Sequence, residues 1–348
     1  MKPMQPNVKT EREAEKINDL RNDKIYKELL EKETSVLFDD PLENDIVLNM
    51  GPQHPATHGV LRCVLRLDGE TVLKCVPELG YLHRGYEKMA ENTTFYEYLP
   101  HTDRLDYLSP FSNNVAFSYA VENSLGIEAP PRAQWIRVLV AELARISSHL
   151  MAMGSTCMDA GALTILLWTF TEREKLYDIF ELICGARFTT SYTRIGGVAN
   201  DIPKKVFAKI KEWADQFPGE LEYFEKLVHR NRIFVDRLAG NCIVEPDKAI
   251  KLGLTGPTLR GSGIPRDLRR DEPYLIYDRL DFDVITYDDC DVYSRYMVRV
   301  KEMYESLKIV YQILDKIPEG DIRLKDPETT LPKKSEVYTK MEDRKSVV

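Results

Sequence analysis

The chain has 348 residues, of which 43% are hydrophobic and 30% are charged, and its 56 acidic residues outnumber 48 basic ones for a net charge of −8. This composition is typical of a globular protein. The acidic balance argues against nucleic acid as the main partner, because phosphate binding usually requires a basic surface.

The first 45 residues are mostly charged, and we interpret them as an N-terminal extension, or an arm that embraces a partner, outside the core. They have neither the apolar centre of a signal peptide nor the basic character of a transit peptide. Further along, the best apolar run, Gly161–Phe170, has ten residues, against about 20 for a transmembrane helix. We therefore expect any attachment to a membrane to depend on a partner.

The first regular element follows the stretch Asn49–Leu61, NMGPQHPATHGVL. Alternating apolar residues over 60–67, an Asp-Gly turn and a second run over 71–76 predict a β-hairpin. Just before it, His54 and His58 have the i, i+4 spacing of helical metal ligands, but Pro55 disfavours a regular helix. A metal site, a turn in which the imidazoles bond the backbone, and proton handling all remain open.

Beyond residue 110 the apolar spacing becomes helical. We predict helices over 132–153, 163–183, 204–228 and 295–317, with Gly154 ending the first one. The stretch 254–284 is rich in Gly, Pro and Arg and is predicted to be irregular. Its segment LTGPTLRGSG matches neither phosphate-loop pattern. The fold class is α+β and mainly α, a helical bundle with a small antiparallel sheet on its N-terminal side.

Polar residues in apolar surroundings are the other candidates for function. In PHTDRLDYLSPF, Tyr107 is either packed beside an ion pair of Arg104 and Asp106 or offers a phenolic proton in a cleft. Asp159 lies in an apolar stretch that we place between two helices, where it either caps the second helix or orients a histidine. The six cysteines form no CxxC pair, which argues against zinc, iron–sulfur and dithiol redox sites of the usual spacing.

Several segments, in this order, resemble the D subunit (the 49-kilodalton subunit in mitochondria) of NADH:quinone oxidoreductase, the respiratory complex I. The resemblance covers about Asn49 to Lys340, and it rests on NMGPQHPATHGVLR, PELGYLHRGYEK, TDRLDYLS, ELARISSHL, DAGALT, FTERE, RIGGVANDIP, LGLTGPTLRGSG and DLRRDEPY. This family is related to the large subunit of nickel–iron hydrogenases, and the resemblance implies a helical bundle of that type. In RLDYLS, Asp106 and Ser109 stand where the first metal-binding CxxC would be, which implies that the metal site is lost and that a quinone cavity remains.

The resemblance implies that His58 and Tyr107 contact the quinone headgroup and that Asp159 pairs with His58. His54 and His83 lie in matching motifs, without a role that transfers securely, and we expect His54 to be structural. Quinone reduction takes two electrons and two protons. Tyr107 and a protonated His58 would supply protons to the two oxygens, and Asp159 would raise the pKa of His58. Relaxation of Asp159 after proton loss is a hypothesis for coupling to proton pumping.

The resemblance also implies the surroundings of the chain. Quinone is the substrate, no metal or cluster is bound by this chain, and NADH, FMN and the iron–sulfur clusters belong to partner subunits. The expected partners are the subunit with the terminal cluster, the C subunit and the membrane subunit at the quinone channel. The expected location is peripheral, on the cytoplasmic side of the inner membrane, or on the matrix side if the protein is mitochondrial.

We expect three segments: the extension 1–45, the hydrogenase-like quinone-site domain 46–340, and an atypical tail 341–348. The tail resembles nothing in the family, and a truncation or frameshift is our expectation for it. This leaves two alternatives to a catalytic subunit. One is a non-catalytic scaffold, and the other is the equivalent subunit of a related complex with a different electron donor.

Overall fold

The computed structural model describes residues 46–57, 59–325 and 336–342. Contacts between backbone positions divide the chain into two compact units, with the boundary between Gly85 and Tyr86. The predicted extension 1–45, His58 and residues 343–348 of the predicted tail lie outside the described residues. Each unit is described separately below.

The first unit contains a three-stranded antiparallel sheet in the order β1 (Ile46–Met50), β2 (Arg62–Asp68) and β3 (Thr71–Glu78). The predicted hairpin is confirmed: β2 and β3 pair with Leu65 opposite Cys75, and Gly69 takes the positive φ of 58° that the tight turn requires. The strand β1 has little alternation in its sequence, IVLNM, and the sequence pattern does not predict it as a separate element.

The second unit is helical and begins earlier than the predicted residue 110. Two short strands, β4 (Thr193–Arg194) and β5 (Gly197–Val198), form a separate hairpin. In chain order the helices are α1 (Tyr86–Ala90), α2 (Phe95–Thr102), α3 (Pro110–Leu125), α4 (Pro131–Asp159), α5 (Leu163–Cys184), α6 (Lys204–Val228), α7 (Arg232–Leu238), α8 (Pro246–Lys251), α9 (Gly256–Arg260), α10 (Leu268–Asp271) and α11 (Val292–Lys316).

The long helix α4 forms the centre of this unit. Apolar residues recur along it, and those between Ile136 and Leu150 are almost completely buried. The helices α5 and α11 pack against it. A helix that is buried on nearly all sides must be the core of its bundle, so the α+β, mainly α class predicted from the sequence is confirmed.

The predicted end of α4 at Gly154 is wrong, because the helix continues to Asp159. Gly154 lies where α4 meets α5, and a Cβ built there would come within 2.3 Å of Thr169 Oγ1 and 2.9 Å of Leu166 Cδ1. The glycine therefore permits close approach of two helices. A glycine used for packing and a glycine that ends a helix are indistinguishable by residue type.

The other predicted helices are confirmed within three residues at either end. The helix α6 has one strongly apolar face and contains Pro218 without a break in its assigned span. The helix α11 begins at Val292, before the predicted Arg295, because Asp291 caps it by accepting a hydrogen bond from Ser294 N at 2.7 Å. The stretch 254–284 contains only α9, α10 and one 3-10 turn, as its composition predicts.

Candidate functional site

The segment 103–109 forms a compact turn between α2 and α3, and it carries Tyr107. Asp106 organises this turn: its carbonyl oxygen accepts from Asn113 Nδ2 at 3.0 Å and from Ser109 N at 3.1 Å. Its Oδ1 accepts from Leu108 N at 3.2 Å. Pro110 then starts α3 in the position where a missing N–H costs nothing. The turn is therefore held by its own backbone and by α3, which gives Tyr107 a well-defined base.

The Tyr107 side chain projects from this turn and is 46% exposed. Its ring lies against Phe188, with centroids 6.0 Å apart. Phe188 in turn meets Tyr177 edge to face at 6.2 Å, and the Arg173 guanidinium lies 5.3 Å from the Tyr177 ring centre. One side of the phenol is thus supported by an aromatic row, while another side is exposed. The phenol is exposed and packs against an aromatic ring; donation of its proton in a cleft stays a prediction.

The ion pair that the sequence placed beside Tyr107 forms with a different carboxylate. Arg104 Nη1 lies 3.9 Å from Asp103 Oδ2, and the same nitrogen donates to the carbonyl oxygen of Pro100. Asp106, the expected partner, uses its carbonyl oxygen and Oδ1 in the turn described above. The spacing of Arg and Asp along a turn does not specify which carboxylate faces the guanidinium. The sequence alone therefore does not distinguish Asp103 from Asp106 as the partner of Arg104.

Asp103 is a titratable residue that the sequence analysis missed. Its side chain is fully buried, and Oδ2 accepts a hydrogen bond from Ser191 N at 3.0 Å. Burial raises the pKa of Asp103 to about 6, and contacts with Asn114 and Ser191 offset only part of this rise. The available signal was a second aspartate in TDRLDY, directly after a helix. A carboxyl group that changes its charge near neutral pH therefore lies in the segment that carries Tyr107.

Asp159 is the last residue of α4 and is exposed. Our placement of Asp159 between two helices is corrected accordingly. The interpretation of Asp159 as the cap of the next helix is also wrong, because the N-cap position of α5 is occupied by Ala162. The connection 160–162 is instead held by backbone bonds and by Arg237 Nη1, which donates to the Ala160 carbonyl at 2.6 Å. Pairing of Asp159 with His58 remains a prediction.

In the first unit, His54 lies in a tight loop between β1 and β2. This loop contains a cis peptide bond before Pro52 and a 3-10 turn over Pro55–Thr57. His54 Nδ1 accepts a hydrogen bond from Ala56 N at 3.1 Å, as the turn interpretation predicts. His83 lies in an exposed turn closed by its own N–H to the Gly80 carbonyl.

Metal ligands do not cluster in the part of the chain that the structure describes: among these side chains, no group of three or more His, Cys, Asp or Glu is arranged to hold a metal ion. A polar cleft of about 510 Å³ opens in the second unit beside Glu122, Gln134 and Tyr274. Neither Tyr107 nor Asp159 lines this cleft, so it does not locate the predicted headgroup contacts. Within 46–57, 59–325 and 336–342, no helix combines the length and the apolar character needed to cross a bilayer.

Comparison with known proteins gives one consistent family. The profile described as "Respiratory-chain NADH dehydrogenase, 49 Kd subunit" matches residues 159–347. The D 1 subunit of the NADH-quinone oxidoreductase of Chloroherpeton thalassium is 54% identical over 321 residues, which cover 92% of this chain and 73% of the relative. The D subunit of the Salinibacter ruber enzyme is 53% identical over 303 residues, covering 87% of this chain and 67% of the relative. The D 2 subunit of the Rhizobium etli enzyme is 53% identical over 299 residues, covering 86% of this chain and 74% of the relative.

Proposed function

Because this chain belongs to the family of the NADH-quinone oxidoreductase D (49-kilodalton) subunit, we propose that it is the quinone-site subunit of that complex. In this role it passes electrons from an iron–sulfur cluster of a partner subunit to quinone, and the reaction is coupled to proton translocation. The observation that carries the proposal is the exposed phenol of Tyr107 on a turn held by Asp106 and Asn113. That turn is the motif RLDYLS, in which acid and hydroxyl residues stand at the two cysteine positions of the related hydrogenases.

The proposed chemistry needs proton donors from this chain and electrons from elsewhere. Two electrons and two protons convert the quinone to a quinol. Tyr107 donates a hydrogen bond and a proton to one carbonyl oxygen, and a protonated His58 serves the other. Asp159 keeps His58 charged until quinone arrives, since an opposite charge stabilises the protonated imidazole. When His58 gives up its proton, Asp159 loses its counter-charge, and its rearrangement starts the coupling to proton translocation.

The aromatic support of Tyr107 fits this role. A proton donor must be held within hydrogen-bond reach of the oxygen it serves, and small displacements of a reacting group are costly in rate. Phe188, itself packed on Tyr177, restricts the Tyr107 ring from one side. The apolar ring faces of this row also suit the flat, apolar headgroup of a quinone.

The proposed partners are the subunit with the terminal iron–sulfur cluster, the C subunit and the membrane subunit at the quinone channel. NADH, FMN and the clusters are bound by partner subunits, and this chain holds neither metal nor cluster. We place the chain peripherally, on the cytoplasmic side of the inner membrane, or on the matrix side if it is mitochondrial. A related complex with a different electron donor would use this chain in the same way.

A photoreactive quinone analogue tests the proposal in the assembled complex. We expect it to label peptides containing residues 103–109, and excess quinone to suppress the labelling. As a matched control, the exposed aromatic Tyr223 on α6 should remain unlabelled. If the analogue binds the complex but labels no peptide of this chain, the chain is a scaffold and the proposal is wrong.

A further inference from the structure

A cluster of eight ionisable side chains lies inside the second unit, none of them more than 2% exposed. They come from α4, α9, α10 and its N-cap, α11 and the segment 336–342. We refer to them together as the buried charge cluster. It consists of Glu142, Arg145, His149, Arg260, Asp267, Arg269, Glu302 and Glu342.

Glu142 is ionised in this cluster. Arg145 Nε lies 3.3 Å from its carboxylate and Arg269 Nη1 lies 3.2 Å away. The hydroxyls of Tyr277 and Ser306 donate to it at 2.6 and 2.7 Å. Although burial opposes ionisation, the two guanidiniums and the two hydroxyls lower the pKa of Glu142 to about 2.

Asp267 and Glu302 are also ionised. Asp267 accepts from Arg269 Nη2 at 2.7 Å and from the Arg269 backbone N–H at 2.9 Å. Glu302 accepts from Arg260 Nε at 2.6 Å and from His149 Nε2 at 2.8 Å. In each case burial alone would raise the pKa, and the adjacent guanidinium makes the largest contribution to lowering it below its usual range. Three carboxylates of the cluster are therefore charged at neutral pH.

His149 is neutral. Burial lowers its pKa to about 4; the hydrogen bond to Glu302 opposes this, and the charges of Arg145 and Arg299 add to it. In the neutral ring Nε2 carries the hydrogen that Glu302 accepts, which leaves Nδ1 without a hydrogen. This assignment fits the geometry, because Nδ1 is buried and makes no hydrogen bond within the described chain, and a second N–H there would be a costly unpaired donor.

The acidic and basic groups of the cluster differ in number. Within the cluster three arginines face four carboxyl groups, so with neutral His149 its fully buried groups include one more acid than base; Arg299, which acts on His149, is only partly buried and is not counted. An uncompensated charge in a fully buried site is expensive, and such sites neutralise it by binding a proton. One of the four carboxyl groups is therefore expected to hold that proton.

Glu342 has the weakest ionic support of the four. It accepts from Arg260 Nη1 at 2.8 Å and from the Leu268 backbone N–H at 3.1 Å. The same Arg260 nitrogen lies 3.9 Å from Asp267 Oδ2, and Arg260 Nε also donates to Glu302, so three carboxyl groups share one guanidinium. Burial raises the pKa of Glu342, as does the negative charge of Asp267, while the arginines oppose this. The largest charge contributions at Glu342 come from Arg260 of α9, from Asp267 and Arg269 at the start of α10, and from Arg145 of α4.

We infer that Glu342 binds one proton in the folded chain at neutral pH and is the proton-binding site of the buried charge cluster. The inference does not depend on the proposed quinone chemistry. Glu342 also anchors its segment through its backbone: its N–H donates to Tyr274 Oη at 3.2 Å, and its carbonyl accepts from Arg145 Nη2 at 2.8 Å. Proton binding at this residue and the seating of residues 336–342 are therefore linked.

Infrared spectroscopy of the purified full-length chain tests the inference directly. We expect a carbonyl stretch from one buried, protonated carboxyl group at pH 7, with the shift in heavy water that such a group shows. The band should lose the intensity of one carboxyl group in Glu342→Gln, leaving at most the small protonated fraction of Asp103, and should be unchanged in Glu336→Gln, which removes an exposed carboxylate from the same segment. Absence of a protonated carboxyl band from wild type at pH 7, or a band of unchanged intensity in a folded Glu342→Gln, would overturn the inference.

Unfolding equilibria provide a second measurement. The ordinary pKa of an unfolded glutamate is about 4.3, so above this pH the folded chain holds a proton that the unfolded chain has released. Wild type therefore loses stability relative to Glu342→Gln as the pH rises. The ratio of their unfolding constants should change by up to about tenfold per pH unit, until Glu342 ionises in the folded chain as well. A ratio that is constant between pH 5 and pH 8 would contradict a protonated Glu342.

Discussion

The rings of Tyr107 and Phe188 lie against each other, with centroids 6.0 Å apart and planes inclined by 43°. Phe188 belongs to the connection after α5. It therefore supports the Tyr107 side chain from a different segment than the turn 103–109 that carries it. If this support positions the phenol, Phe188→Ala in the assembled complex lowers kcat/KM for quinone by roughly tenfold or more, since misplacement of a catalytic group is costly.

The matched control is Tyr223→Ala, which removes another exposed aromatic ring from the second unit. It should leave quinone turnover unchanged. Phe188→Tyr keeps a ring in place and should retain most of the activity. Equal activity of Phe188→Ala and wild type would show that the ring contact has no positioning role.

Gly154 provides a test of helix packing. A methyl group there would meet Thr169 Oγ1 at 2.3 Å, so we expect Gly154→Ala to lower the free energy of unfolding by about 1–3 kcal/mol through overpacking. Gly219 of α6 has nothing within 4 Å of the corresponding position, and Gly219→Ala should be neutral or stabilising by up to about 1 kcal/mol. Chemical unfolding of both variants decides this, and a neutral Gly154→Ala would contradict the close contact.

The buried pair of Arg137 and Glu122 links α4 to α3. Arg137 Nη1 donates to Glu122 Oε2 at 2.8 Å, and Nη2 also donates to the carbonyl of Gly197 at 3.0 Å. Arg137→Met leaves a buried carboxylate without its partner, which we expect to cost about 3–5 kcal/mol of unfolding free energy. Adding Glu122→Gln should recover part of the loss.

The exposed pair of Lys226 and Glu222 is the control for that experiment. Its atoms are 2.7 Å apart, yet both side chains are more than half exposed. Lys226→Met should therefore change the free energy of unfolding by no more than about 1 kcal/mol. Similar costs for Arg137→Met and Lys226→Met would refute the structural importance of the buried pair.

The raised pKa of Asp103 predicts that the stability of the chain depends on pH. Its pKa is about 6 in the folded chain, against about 3.9 for an unfolded aspartate. The folded state binds the proton more tightly, so its contribution to stability is present below pH 4 and is lost as the pH rises to 6. Asp103→Asn, which stays neutral, should be more stable than wild type at pH 7.5, with the difference shrinking as the pH falls. Parallel stability curves would contradict the raised pKa.

The helices were predictable because their apolar periodicity coincides with burial, as along α4 and α11. The end of α4 was not predictable, because Gly154 contacts a residue of the next helix and the sequence does not indicate that contact. The family motif located Tyr107, but its support by Phe188 depends on a contact 81 positions along the chain. Asp103 looked like any turn aspartate, because its burial is produced by Ser191 and other distant residues.

The buried charge cluster was not apparent in the sequence for the same reason. Arg260 lies in the segment LTGPTLRGSG, which we interpreted only as a structured loop, yet its guanidinium contacts Glu302 and Glu342. Charged residues are normally solvent-exposed, so single arginines and glutamates spread over 200 positions give no signal of burial. Only the folded chain shows that they share one interior site.

The central claim is that Tyr107 supplies a proton to quinone, and Tyr107→Phe in the assembled complex tests it most directly. This change removes one hydroxyl and keeps the ring that packs on Phe188. We expect normal assembly, normal electron transfer from NADH to a water-soluble acceptor, and quinone reduction reduced by about 10²-fold or more, the usual contribution of a positioned acid. An assembled Tyr107→Phe complex that reduces quinone at the wild-type rate would contradict the account.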